Sequence, residues 1–241
     1  MKASNEVKAR YKRTKVYLED RYEKPKHMFV VMADKIAPQI DGKSQTSLLD
    51  VGGATGEFVY YLHKRFPDLK VSCLEYDSKL VSRGRERLPT CNFVTGDANN
   101  MDEFSNNQFN IVTMIGTMSI FNNFEPSLSE CIRTAKPQGI IYVVGQFNDF
   151  PVDALIQWRY SNSTGPYNTG YNLFSKETIS AFLTQEEKVT SWDFEKFSLP
   201  FDLKKQEDPI RTWTELNNQG ERIFRNGIME INLQILQINL K

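Results

Sequence analysis

A glycine-rich loop between a buried strand and an amphipathic helix most constrains how this chain can fold. Residues 47–57 read SLLDVGGATGE, an apolar strand that ends on Asp50 and runs into the loop, and the helical pattern FVYYLHKRF follows. Glycine lacks a Cβ and adopts positive φ at little cost, so such a loop lets a ligand approach the backbone closely. In open α/β folds, loops of this kind lie at the carboxyl edge of a parallel sheet, where nucleotides bind. The segment therefore predicts a nucleotide-type ligand.

Three ligand classes compete for the loop. A phosphate-binding P-loop ends in Gly-Lys-Ser/Thr, whereas Gly56 is followed here by Glu57, which excludes that class. The spacing of the glycines also does not match the dinucleotide-binding motif G-x-G-x-x-G. Asp50 and Glu57 would in addition repel a pyrophosphate, since they present negative charge to an anion. A ligand with a nucleoside at one end and a cationic amino-acid tail at the other fits the acid-flanked loop best.

The segment LLDVGGATGEF resembles the first motif of the class I S-adenosylmethionine-dependent methyltransferases, an acid, any residue, then G-x-G-x-G. The middle glycine of that pattern is Ala54 here, which requires either negative φ or mild strain. The resemblance implies that S-adenosylmethionine is bound, with S-adenosylhomocysteine as the product. It implies a cofactor-binding loop made of Asp50, Gly52, Gly53, Ala54 and Gly56.

A second acid follows the next predicted strand. In VSCLEYD, Glu75 ends the strand roughly 20 residues after the loop, the spacing at which an acid reaches ribose hydroxyls in nucleotide-binding βαβ units. A carboxylate accepts two hydrogen bonds from a ribose diol. A solvated acid at a strand end is the plainer interpretation. Asp77 is a rival for the ribose, but its place before SKLVSRGRERL favours a helix N-cap.

A third acid follows the next strand, in NFVTGDANNMDEF. In the family that the chain resembles, an acid here accepts from the adenine amino group and the next backbone N–H meets a ring nitrogen. Those positions are Asp97 and Ala98 in this chain. An Asx-type turn, which Gly-Asp favours in any protein, is the alternative. We also expect Tyr76 and Met114 among the cofactor contacts.

The alternation of strand and helix patterns along the chain predicts an α/β fold with a mostly parallel sheet covered on both faces. The resemblance implies a doubly wound, seven-stranded sheet with an antiparallel last strand. We expect N-terminal helices and inserted lid segments in addition. The chain of 241 residues is thus predicted to be one domain. Its predicted parts are a helical cap (1–44), a cofactor-binding core (45–148) and two substrate lids (149–174 and 201–227).

The segments outside the core are expected to carry the substrate. Residues 1–40 read as two helices broken near Pro25, and Tyr11 and Tyr17 are expected at the mouth of the site. A plain amphipathic cap is the alternative. The 149–174 segment is rich in Tyr, Asn, Ser and Gly and includes Arg159 and Tyr160, and loops of that length are often functional lids. The 201–227 segment either caps the pocket or is a solvated face.

Methyl transfer requires that the acceptor be aligned with the methyl group. It requires a base only for those acceptors that must lose a proton. His27, one of two histidines, could face the pocket from the second leading helix. Asp149 and Asp153 follow the fifth predicted strand, at the edge where an acceptor should lie. We take His27 and Asp149 as the candidate bases, with Asp153 after them.

Composition limits the partners and the location. The chain carries 30 basic and 30 acidic residues, so no net charge draws it to nucleic acid or membrane. Its three cysteines lack metal spacing and read as reduced packing residues, which favours the cytoplasm, with no metal predicted. Neither a signal peptide nor a membrane-spanning run is apparent. Oligomeric state is left open.

The acceptor is expected to be a small polar molecule. The fourth strand ends in MIGT, not in the Asn/Asp-Pro-Pro-Tyr motif with which relatives methylate planar nitrogens. The mixture of aromatic, amide and arginine side chains in the two lids favours O-methylation of a sugar or sugar nucleotide. An N-methyltransferase or another small-molecule methyltransferase, an aminopropyltransferase-like enzyme and a non-enzymatic cofactor-binding scaffold are the alternatives.

Overall fold

The computed structural model describes residues 17–19, 22–40 and 45–241. Its thirteen strands are numbered in chain order. The main sheet contains β1 (Ser47–Val51), β2 (Lys70–Glu75), β3 (Asn92–Thr95), β4 (Phe109–Ile115), β5 (Ala135–Asn148), β8 (Phe174–Ser175), β9 (Val189–Lys196) and β13 (Leu233–Leu240).

The strand order of the main sheet is β3-β2-β1-β4-β5-β13-β9, with the short β8 paired beside the end of β5. Strands β1 to β5 run parallel, and β13 is antiparallel to both of its neighbours. The prediction of a mostly parallel, doubly wound sheet with an antiparallel last strand is therefore confirmed. The order reverses between β1 and β4, and open α/β sheets bind ligands at the carboxyl ends of the strands at such a point.

Helices cover both faces of the sheet. They are α1 (His27–Ile40), α2 (Glu57–Arg65), α3 (Ser78–Arg87), α4 (Glu125–Thr134) and α5 (Lys176–Gln185), and a 3₁₀ turn covers Met118–Ile120. Each helix buries one apolar stripe; in α1 the stripe is Phe29, Met32, Ala33 and Ile36, the spacing that brings residues onto one helical face. Helices α1 to α3 pack on one face, and α4 and α5 pack on the other.

One helix start agrees with the cap expected from sequence, and a second helix is capped in the same way. Asp77 accepts a hydrogen bond from the Lys79 N–H at 2.9 Å and begins α3. Ser175 accepts one from the Thr178 N–H at 2.9 Å and begins α5. Such side-chain acceptors satisfy N–H groups that have no partner within the helix.

The two segments expected as lids form β-structure of their own. Strands β6 (Gln157–Trp158) and β7 (Asn168–Thr169) pair as a hairpin within residues 149–174. Strands β10 (Trp213–Leu216), β11 (Arg222–Arg225) and β12 (Glu230–Ile231) form a separate antiparallel sheet. Phe224 of that sheet stacks on Phe197, with ring centroids 5.9 Å apart. The second segment therefore contributes to the packing on the α1 face.

Among the described helices, none combines the length and apolar character that crossing a bilayer requires.

Replacement of Gly84 tests how tightly α3 packs on the sheet. A Cβ at this position would lie 2.3 Å from Cε1 of the buried Phe93 ring. Alanine usually favours a helix by about 1 kcal/mol over glycine, but overpacking a core costs about 1–3 kcal/mol. We expect Gly84→Ala to lower the free energy of unfolding by roughly 1–2 kcal/mol in urea titrations. Ser82→Ala, on the exposed side of the same helix, is the control and should change little; a stabilised Gly84→Ala protein would contradict this packing.

Candidate active site

A cleft opens at the carboxyl edge of the sheet, where the strand order reverses. Its volume is about 840 Å³ with the open mouth included. Most of the residues that line it come from the glycine loop, from the ends of β2, β3 and β4, and from the segment after β4. They are Tyr17, Gly52, Ala54, Leu74, Glu75, Tyr76, Leu80, Gly96, Asp97, Ala98, Ile115, Gly116, Thr117, Ile120 and Phe121.

The glycine loop is fixed by main-chain hydrogen bonds to the neighbouring strand. The N–H groups of Gly52 and Gly53 both donate to the Leu74 carbonyl oxygen, at 2.7 and 3.2 Å. Gly52 has φ +75°, and a Cβ there would lie 2.2 Å from Oγ1 of Thr117. The loop thus needs glycine at this position for two reasons, a left-handed backbone and contact with the segment after β4.

Ala54 occupies the position where the resembled motif has its middle glycine, and it adopts φ +52°. Of the two possibilities stated above, the structure therefore has mild strain instead of negative φ. A left-handed conformation costs a non-glycine residue roughly 1–2 kcal/mol. The N–H of Ala54 donates to Oε2 of Glu75 at 3.0 Å, a bond that holds the strained residue in place.

Glu75 bridges the glycine loop and the start of α3. Its Oε1 accepts from the Asp77 N–H at 2.9 Å, while Oε2 accepts from Ala54. The residue is buried and lines the cleft. A carboxylate has about four acceptor sites, so it can accept from several donors at once. Asp77, its rival in the sequence, begins α3 and is absent from the lining.

Asp97 forms the turn that the alternative interpretation expected and also lines the cleft. Its Oδ1 accepts from the N–H and from Nδ2 of Asn99, at 2.9 and 3.1 Å. Ala98, almost wholly buried, lies beside it in the lining. The turn and the ligand-facing position are therefore compatible, because the turn orients the acid at the edge of the cleft.

The end of β4 contributes Ile115 to the cleft where we expected Met114. Met114 is wholly buried in the core on the α4 and α5 face, and Ile115 packs toward the opposite face and the cleft. Successive side chains of a strand point to opposite faces. Two adjacent residues of β4 therefore differ in that one side chain lies in the core and the other lines the cleft. The apolar run of β4 gave no alternation from which to choose the face.

Ile120 and Phe121 are the wall residues that the sequence interpretation missed. They belong to the Met118–Ile120 turn and the residue after it. One signal was available. Every segment that follows a parallel strand starts at the same sheet edge, so the segment after β4 had to lie beside the glycine loop.

Asp50 lies beneath the loop and does not line the cleft. It is 2 % exposed, and its Oδ1 accepts from Oγ1 of Thr113 at 2.8 Å. Burial raises the pKa of Asp50 to about 7; the Thr113 hydrogen bond opposes this shift and the nearby charge of Glu75 adds to it. A Cβ on Gly53 would lie 2.5 Å from Oδ2 of Asp50, so the glycine allows the acid to pack below the loop. Gly56 begins α2 at φ +83° and likewise does not line the cleft.

The charge of the cleft selects against anions. The described residues that line it include the carboxylates Glu75 and Asp97 but no lysine or arginine. Such a site favours a cationic ligand and disfavours a pyrophosphate, because like charges repel in a partly desolvated cleft. Carboxylates also suit neutral donors such as ribose hydroxyls and the adenine amino group.

The two candidate bases contact different groups, and neither is among the described residues that line the cleft. The His27 ring contacts the rings of Phe197 and Phe201, with centroids 6.2 and 5.6 Å away. Asp149 forms a 2.5 Å ion pair with Lys176 and also accepts from Asn232 at 2.8 Å. The Lys176 ammonium lowers the pKa of Asp149.

Asp153, the further base candidate, accepts from the Ser175 N–H at 2.6 Å and from Oγ1 of Thr178 at 2.9 Å. Its carboxylate thereby supports the first turn of α5.

Arg159 and Tyr160 line a second cleft, which lies between the β6–β7 hairpin, the segment before β10 and the turn between β11 and β12. The Arg159 guanidinium lies over the Tyr167 ring, 4.6 Å from its centroid. The Tyr160 hydroxyl donates to Asp208 at 2.9 Å. Arg159 and Tyr160 therefore line the same cleft, and each contacts a different protein group there. Tyr11 lies outside the described residues, whereas Tyr17 lines the first cleft.

The cysteines are buried and unpaired. Burial raises the pKa of Cys73 well above its usual value. In the described part of the chain, no cluster of three or more His, Cys, Asp or Glu side chains is arranged to hold a metal ion.

Comparison with known proteins shows two kinds of similarity. Residues 48–139 match the family model described as a methyltransferase domain. The ubiquinone/menaquinone biosynthesis C-methyltransferase UbiE of Cereibacter sphaeroides is 28% identical over 135 residues, which are 54% of this chain and 51% of that protein. The demethylmenaquinone methyltransferase of Chlorobaculum parvum is 27% identical over 152 residues, 63% of this chain and 61% of that protein.

The chain thus spans about half the length of UbiE, the first of these relatives. Among solved structures, the YcgJ protein of Bacillus subtilis superposes with a TM-score of 0.60 at 13% identity, over 89% of this chain and 98% of that one. At that identity the likeness shows the fold alone.

Replacement of Asp50 by asparagine tests its protonation. The pKa of Asp50 is higher in the folded state than in the unfolded state, so the folded state binds the proton more tightly. The free energy of unfolding therefore falls as pH rises from about 4 through about 7. Asp50→Asn, which resembles the neutral acid, should match the wild type only below about pH 4, where the acid is protonated in both states. Above pH 7 it should be more stable by on the order of 4 kcal/mol. Urea titrations of both proteins across this range measure the difference; equal pH profiles would contradict a raised pKa.

Proposed function

We propose, from the premise that this chain belongs to the class I S-adenosylmethionine-dependent methyltransferase family, that it transfers a methyl group to a small-molecule acceptor. The acid-lined cleft beside the glycine loop is the observation that carries the proposal. The whole activity and the acceptor are our inference, since the relatives match this chain over about half of their length.

The residues of the cleft fit S-adenosylmethionine. Glu75 supplies buried carboxylate oxygens for the ribose hydroxyls, and Asp97 supplies an acceptor for the adenine amino group. The main-chain N–H of Ala98 would meet a ring nitrogen. Open space beside Gly116, where an added Cβ would meet no atom within 4 Å, leaves room at the end of β4. Because the described lining lacks a cationic side chain, the charge balance favours the sulfonium and ammonium groups.

Alignment is the main catalytic contribution that we assign to the protein. Bound S-adenosylmethionine supplies a methyl group already activated by the positive sulfonium. The chain must then hold the acceptor in line with that methyl group and keep water out, which lowers the entropic part of the barrier. His27 contacts aromatic rings and Asp149 is paired with Lys176, so we propose that the reaction does not depend on either as a base.

A planar phenolic or quinol ring is the acceptor class that we place first. The relatives named above act, by their names, in ubiquinone and menaquinone biosynthesis or on demethylmenaquinone. Apolar wall residues, Ile120 and Phe121, line the cleft beside the end of β4. Such a wall is suited to contact a flat apolar ring.

A sugar hydroxyl is the second acceptor class. It was expected from the sequence, and neither relative's name mentions a sugar. Its support is the second cleft, in which the aromatic residues Trp158, Tyr160 and Tyr167 lie with Arg159. Sugar rings stack on aromatic faces, and an arginine would bind the phosphates of a sugar nucleotide. The substrate role of Arg159 and Tyr160 is part of this second proposal.

Calorimetric titration with S-adenosylhomocysteine tests the cofactor assignment. Glu75→Ala removes the ribose acceptor and the anchor of the glycine loop, so we expect the Kd to rise about 10- to 100-fold, as for the loss of about 1–3 kcal/mol. Asp77→Ala is the matched control, since it removes the neighbouring acid and the cap of α3. It should cost about 1 kcal/mol of stability and leave the Kd unchanged. The reverse pattern would assign the ribose to Asp77.

Acceptor assays with radiolabelled S-adenosylmethionine separate the two acceptor classes. We expect label transfer to 1,4-naphthohydroquinones and none to UDP-hexoses. If a UDP-hexose is methylated instead, Arg159→Ala should raise its KM at least tenfold, because a phosphate contact is lost, without changing the Kd of S-adenosylhomocysteine. Binding of S-adenosylhomocysteine without transfer to any acceptor would favour the scaffold alternative.

A further inference from the structure

We infer that Asn172 is a positioning residue that couples the acceptor segment to the cofactor cleft. The acceptor segment is residues 149–174, and the wall loop is residues 116–122, which includes four of the residues that line the cleft. The inference rests on the proposed function, because it assumes that S-adenosylmethionine binds in that cleft. It adds a link between the two sites that neither the motif residues nor the second cleft provide.

The side chain of Asn172 is fully buried and joins the two segments. Its Nδ2 donates to the Phe121 carbonyl oxygen at 2.8 Å and to Oδ1 of Asn122 at 3.2 Å. Its Oδ1 accepts from the Ile156 N–H at 2.8 Å. One amide therefore binds the wall loop through its donors and the acceptor segment through its acceptor. Exchanging oxygen and nitrogen of this amide would set acceptor against acceptor, so the geometry defines its orientation.

The main chain of Asn172 adds two further bonds at the same place. Its N–H donates to the Ser119 carbonyl oxygen at 3.0 Å. Its carbonyl oxygen accepts from Nε2 of Gln146 at 3.3 Å, in the buried part of β5. With the side chain, these bonds satisfy all the hydrogen-bonding groups of a residue that is 0 % exposed, which is the condition for a buried polar network to define one arrangement.

The wall loop depends on these bonds for its position. Ile120 and Phe121 line the cleft, and the carbonyl groups of Ser119 and Phe121 both accept from Asn172. Removing the amide would leave the Phe121 carbonyl without this donor in a buried place, which favours rearrangement of the loop. A shift of the loop would move the apolar wall of the cleft to which we assign the cofactor.

The acceptor segment depends on the same residue. Leu173, the next residue, pairs with Ala154 through two main-chain bonds of 2.8 and 2.9 Å. Tyr171, the preceding residue, donates from its hydroxyl to the Ile210 carbonyl oxygen at 3.2 Å, and its ring contacts Trp158. Residues 171–173 thus connect the wall loop to both sides of the second cleft.

Coupling between two sites is reciprocal in binding free energy. If Asn172 carries it, occupation of the cofactor cleft stabilises the acceptor segment, and loosening the segment weakens cofactor binding. A merely structural asparagine would affect overall stability and neither of these properties.

Hydrogen exchange and calorimetry with S-adenosylhomocysteine test the inference on the full chain. In the wild type, the ligand should slow amide exchange in residues 149–174. In Asn172→Ala that protection should disappear, and the Kd should rise roughly 5- to 20-fold, within the usual range of coupling. Asn172→Asp keeps the acceptor for Ile156 but loses the donor to Phe121, so it should give the same result. It serves as the test if the alanine variant does not fold.

Asn226→Ala is the matched control. Asn226 is also a buried asparagine, and its Oδ1 accepts from the Ile228 and Met229 N–H groups in the turn after β11. This variant should lose stability yet keep both the Kd and the protection. Wild-type affinity with retained protection in both Asn172 variants would overturn the coupling alone. Failure of the wild type to bind S-adenosylhomocysteine would overturn the proposed function and the coupling with it.

Discussion

The cofactor edge of the molecule depends on the hydrogen bonds of one buried carboxylate. Glu75 accepts from the main chain of Ala54 in the glycine loop and from the main chain of Asp77 at the start of α3. It therefore fixes the end of β2, the strained loop after β1 and the following helix relative to each other. A charged acceptor forms strong bonds to main-chain N–H groups, and the residue also lines the cleft.

Two acids near the loop meet different environments and therefore serve different purposes. Asp50 lies beneath the loop, where burial raises its pKa to about 7; Glu75 lies at the cleft and is bonded to two N–H groups. Placing both charges close together in a buried region would be costly. The raised pKa of Asp50 relieves that cost, and the loop keeps an acid on its ligand side.

The inserted segments show how little composition says about contacts. Tyr160 and Arg159 were singled out as ligand-binding residues, and both contact protein groups, Asp208 and Tyr167 respectively. The connection between the acceptor segment and the cofactor cleft is made instead by a fully buried asparagine, Asn172. An asparagine in a loop usually indicates a turn, so no local pattern distinguishes one that binds across two segments.

The sequence by itself determined the strand–loop–helix unit, the alternation of strands and helices, and the cap Asp77, because these follow from local spacing and backbone chemistry. It also indicated Glu75 and Asp97, since acids at the ends of parallel strands meet at one sheet edge. Only the tertiary structure decided that Ile115 and not Met114 faces the cleft, that Lys176 pairs with Asp149, and that Asn172 joins two segments. Those contacts depend on which face of a strand is buried and on residues distant in the chain, neither of which local periodicity encodes.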